Sequence, residues 1–88
     1  MTRQDLIDRG LDEVVVFENP SFDGCIIGLS TDQQAIYSLS KMVEWYCKEN
    51  NCSDADALDF IEYNTIRALG YIPNHPIILD DIDEPIIK

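Results

Sequence analysis

The side chains able to do chemistry in this sequence are few and far apart. There is one histidine, His75, and there are three cysteines, Cys25, Cys47 and Cys52. His75 falls between Asn74 and Pro76 in an expected loop, and a base there needs a serine or cysteine beside it that spacing alone does not supply. Cys47 and Cys52 flank an expected helix end and lack the second Cys or His pair of a zinc site. Asp54, Asp56 and Asp59 begin like a calcium loop, but the sixth loop position holds Asp59 where a sharp turn needs glycine. The four glycines form no Gly-x-Ser-x-Gly elbow and no phosphate cradle. The expectation is a protein that is not an enzyme and that has no metal site and no cofactor.

Charge is the more informative property. Six Lys and Arg stand against seventeen Asp and Glu, a formal net charge of -11. Long-range repulsion sets such a chain against direct nucleic-acid contact and against anionic membranes, and it draws a basic protein partner. Acidity serves solubility alone in many small proteins. What argues for more is its arrangement on one predicted helix, where Asp56, Asp59 and Glu62 accompany Tyr63 and Arg67 as candidate protein-binding residues. Arg67 is expected to pair with a nearby carboxylate or with the helix carbonyl end. An odd cysteine count, a polar start and no long apolar run make a reducing cytoplasm the expected setting.

These residues need elements to position them. Thr2 is placed to cap a short helix through Asp5, Leu6 and Ile7, with Gly10 as its stop. Residues 13–18 carry Val-Val-Val-Phe and read as a strand, followed by a turn over 19–24. Residues 25–29 and 34–37 read as two further strands about a reversal at 30–33, completing an antiparallel meander. Ser38 caps a helix to about Asn50, with Leu39, Met42, Val43 and Tyr46 at helical spacing. Ser53 starts the next helix, which ends at Gly70 and presents Ala57, Leu58, Ile61 and Thr65 to the core. Asn64 lies on the flank of that stripe and is expected to tie the helix to a strand or to the Tyr71 turn.

Pro76 to Leu79 read as a last short strand. The fold class is therefore α+β: a short N-terminal helix and a three-stranded antiparallel meander plus a short C-terminal strand, covered on one face by an αα-hairpin. Residues 1–79 form one domain, and 80–88 an acidic tail expected to order on a partner.

Several strings also resemble a known group. They are Val15-Val16-Phe17-Glu18-Asn19-Pro20, Ile27-Gly28, Ala35-Ile36-Tyr37, Lys41-Met42-Val43 and the run from Phe60 to Leu69. Together they resemble a family of small acidic proteins of Gram-positive bacteria and their phages and prophages, over residues 14–79. Glu62-Tyr63-Asn64-Thr65-Ile66-Arg67-Ala68 is the most specific part. The chain departs from the family at Gly70, where relatives carry Pro, and at Asp32-Gln33, where they carry Asp-Gly. With no activity established for the family, the resemblance implies a fold and a mobile-element setting.

The leading expectation is a non-enzymatic interaction module, in its sharper form an anti-CRISPR-like inhibitor that mimics nucleic-acid charge. An antitoxin-like or regulatory subunit stabilised by its partner is the alternative, and a small enzyme using Cys52 or His75 the third.

Overall fold

Local capping sets where each helix begins. In a computed structural model that describes residues 1–18 and 20–82, α1 (Arg3–Asp8) opens on a complete capping box between Thr2 and Asp5. Hydrogen bonds with Thr2 outweigh desolvation and hold the Asp5 carboxyl below its ordinary range. Leu6 buries the inner face of this helix, and the N-terminal ammonium donates to the Ile26 carbonyl at 2.8 Å.

The expected strand over 13–18 does not form. Val14, Val16 and Phe17 instead pack on the core as an irregular segment. The Phe17 amide donates to the buried Tyr37 hydroxyl at 3.1 Å rather than to a neighbouring strand. β-branched and aromatic residues favour a half-buried surface, and here burial alone meets that preference. Asn19, in the expected 19–24 turn, lies outside the described residues, as does the 83–88 part of the expected tail.

The sheet comprises β1 (Ile26–Leu29), β2 (Ala35–Ser38) and β3 (Ile77–Leu79), in that spatial order. β1 and β2 form an antiparallel hairpin, with a bulge between Ile26 and Gly28. Ser30 and Gln34 close its turn, where Gln33 takes a left-handed φ of 61°. β3 then pairs parallel to β2, with Ile36 opposite Ile77 and Ser38 opposite Leu79. The sheet is thus mixed, not the antiparallel meander with an added strand that local signals suggest. A parallel neighbour needs a long crossover, and the helical region between Ser38 and Ile77 supplies it.

α2 (Leu39–Asn50) follows β2 without a linker, and its Ser38 cap accepts from the Lys41 amide at 3.2 Å. Asn51 ends it in the left-handed region, at φ 50°. α3 (Asp54–Phe60) starts on Ser53, whose hydroxyl accepts from the Asp56 amide at 3.2 Å. The hairpin these helices make lies on the sheet face carrying Ile26, Ala35 and Tyr37, and Met42, Val43, Ala57 and Leu58 complete the core. The fold is α+β.

One contact brings the expected tail into this core region. The Asp81 carboxylate accepts from Ser38 Oγ and, at 2.9 Å, from the Ser40 amide, so it caps α2 alongside Ser38.

Candidate protein-binding face and adjoining groove

α3 does not continue as an α-helix to Gly70. From Ile61 to Ile66 it widens into a π-helix, and a short 3₁₀ turn over Leu69–Tyr71 precedes the return to β3. The i→i+5 bonding of a π-helix makes each turn broader than an α-turn, and such turns recur at functional sites. Ile61 and Thr65 stay buried beneath it, while Glu62, Tyr63 and Asn64 face solvent.

The broader turn carries Asn64 off the buried stripe. Its amide donates to the Phe60 carbonyl at 3.2 Å, one turn back, and reaches neither a strand nor the Tyr71 turn. Tyr63 is 68% exposed, and the Arg67 guanidinium carbon lies 5.0 Å from its ring centroid. Arg67 is therefore held by an aromatic face.

All five candidate residues, Asp56, Asp59, Glu62, Tyr63 and Arg67, are exposed along one continuous helical element. Asp59 and Tyr63 lie one turn apart, and Tyr63 and Arg67 are in contact. Asp56, one turn before Asp59, is exposed as well, and Glu62 is exposed beside Tyr63.

A second feature beside this helix has no counterpart in the sequence reading. Phe17, Glu18 and Pro20 form one wall of an open groove, and the α2–α3 hairpin forms the other. Phe60 divides the groove. On one side lie Trp45, Tyr46 and Glu49; on the other lie Asn64, Thr65, Ala68 and Ile72. The Tyr46 and Phe60 rings stack with centroids 4.5 Å apart, and Phe22 holds Trp45 at 5.2 Å. Phe22 is wholly buried although its φ of 47° is unfavourable for a bulky residue, so aromatic packing outweighs backbone strain there.

The sequence offered a partial signal, because adjacent Trp45 and Tyr46 cannot both point straight into the core. No spacing rule joins residues 17–20 to 45–60.

His75 Nδ1 donates to the Pro76 carbonyl at 2.8 Å, while the His75 carbonyl accepts from the Gln34 side chain at 2.8 Å. Burial pushes the Cys25 thiol up to about 11. Burial, with a 3.3 Å hydrogen bond donated to Asp54, pushes Cys47 up to about 12. Neither thiol is activated as a nucleophile at neutral pH. Among the described residues, no group of three or more His, Cys, Asp or Glu side chains is placed to hold a metal ion. No helix among them is long and apolar enough to cross a membrane.

No protein-family model, curated protein or solved structure matches this chain.

Proposed function

We propose that this protein is a non-enzymatic interaction module that binds a basic protein partner through the outer face of α3 and its π-helical extension. The observation that carries this reading is the exposure of Asp56, Asp59 and Tyr63 along α3 and the π-helix that follows it without a break, with Glu62 exposed beside Tyr63. Their negative potential, added to that of the whole chain, steers a cationic surface toward it. Tyr63 supplies an amphipathic anchor at its centre. The sharper form is mimicry of nucleic-acid charge in a phage or mobile-element setting.

Affinity capture from host lysate tests this, comparing wild type with Asp56→Asn/Asp59→Asn/Glu62→Gln at low and high salt. A stoichiometric partner held by wild type, lost by the variant and released by salt is the expected result. A partner retained equally by both proteins, or one indifferent to salt, overturns it.

The second reading, an antitoxin-like or regulatory subunit, places the partner on the acidic segment that follows Asp81, whose own carboxylate is already held at the start of α2. Its test is truncation of residues 82–88, which leaves Asp81 in place. Loss of the complex supports it, and unchanged affinity overturns it.

A further inference from the structure

We propose that the groove beside Phe60 is a receptor for an arginine side chain of that basic protein partner. This deepens the reading of the acidic face and rests on it, by naming the group on the partner that is recognised.

Two aromatic surfaces flank α3, and they differ in what they lack. Tyr63, on the outer face, already carries the chain's own cation, Arg67. Trp45, Tyr46 and Phe60, in the groove, have no lysine or arginine among the described residues lining either side. Glu18 and Glu49 stand there instead, both exposed at the rim. The depression they share has a volume of about 570 Å³.

The rings are half-buried and packed against neighbouring rings, so little side-chain freedom remains to be lost on binding. A guanidinium fits this combination better than an ammonium does. It is planar, weakly hydrated and able to stack on an aromatic face while its edge donates to carboxylates.

The chain has one tryptophan, Trp45, so its fluorescence reports directly on the groove. The experiment titrates the full-length protein with a terminally blocked tetra-arginine peptide, and in parallel with tetra-lysine. A saturable change in Trp45 emission is expected, with tetra-lysine binding several-fold more weakly. Glu18→Gln/Glu49→Gln should weaken tetra-arginine by about tenfold or more.

Asp12→Asn/Glu13→Gln removes the same charge at a separate depression, and it should have little effect. Equal losses in these two double variants would mean attraction by net charge alone and would overturn the proposal. No saturable change in wild type would overturn it too. Loss of peptide binding in Asp59→Asn/Glu62→Gln, with Glu18→Gln/Glu49→Gln unaffected, would place the arginine on the outer face; the groove proposal then fails while the acidic-face reading stands. Conversely, arginine binding in the groove together with salt-indifferent partner capture leaves the groove and removes the face.

Discussion

At the start of α2, Asp81 accepts hydrogen bonds from Ser38 Oγ and the Ser40 amide, and Ser38 is wholly buried. Along α3 and its π-helical extension, Asp56, Asp59 and Glu62 project from the surface around an exposed Tyr63. Both regions are helical and acidic, but in the first the carboxylate is half-buried and in the second several carboxylates stand exposed. Composition cannot separate the two, since an aspartate counts the same in either place. What separates them is exposure: Asp81 is half-buried where Ser38 and Ser40 donate to it, whereas Asp56, Asp59 and Glu62 lie open to solvent.

The contrast implies that the inner side of the hairpin governs stability, while the outer side is the surface that the proposed function assigns to binding. The largest test is Ile61→Ala, beneath the π-helix, where the side chain is fully buried. Thermal or urea unfolding should show a loss of about 2–5 kcal/mol. A loss below 1 kcal/mol would mean that this turn is not anchored to the core.

Next comes Ser38→Ala, which leaves the Asp81 carboxylate short of a donor and the Lys41 amide without its cap. A cost of about 1–3 kcal/mol is expected. That lowers the midpoint of a thermal scan by roughly 4–8 °C for each kcal/mol in a domain of this size.

Acid titration sharpens the same point. Burial opposes the Asp81 charge, but the donors at Ser38 and Ser40 outweigh it and hold its carboxyl below the ordinary value of 3.8. A carboxyl depressed in the folded state stabilises fully above its unfolded pKa and loses that contribution as pH falls through the folded value. Asp81→Asn should therefore cost stability at neutral pH and flatten the profile below about pH 4. A profile parallel to wild type would remove Asp81 from the account.

The smallest expected effect is on the outer face. Tyr63→Ala and Asn64→Ala should each change stability by no more than about 0.5 kcal/mol. Tyr63→Ala should nevertheless weaken partner capture. A loss above about 2 kcal/mol for Asn64→Ala would restore Asn64 to the interior and break the comparison.

Much of this architecture was legible because its causes are local. Thr2, Ser38 and Ser53 cap the helices as their positions predict, and Asn51 ends α2 in the left-handed conformation that suits it. The β1–β2 hairpin was readable for the same reason. The Val-Val-Val-Phe segment misled because its side chains report burial, and burial need not come with a ladder of backbone bonds. Asn64 misled because an α-helical period was applied across a stretch that follows i→i+5 bonding. Of the candidate site, the exposure of the five residues could be read from the sequence, but the contact of Arg67 with the Tyr63 ring and the groove could not.

The sequence by itself determined the helix caps, the stop of α2 at Asn51, the hairpin turn and the acidity, since each depends on residues within a few positions or on a simple sum. Tertiary structure alone decided the parallel seat of β3, the hold on Asp81 and the wall that Phe17, Glu18 and Pro20 raise against Trp45, Tyr46 and Phe60. Ser38 and Asp81 are 43 positions apart. Contacts at such separations form only where packing of the whole core outweighs the entropy of closing the chain between them, and no local pattern encodes that balance.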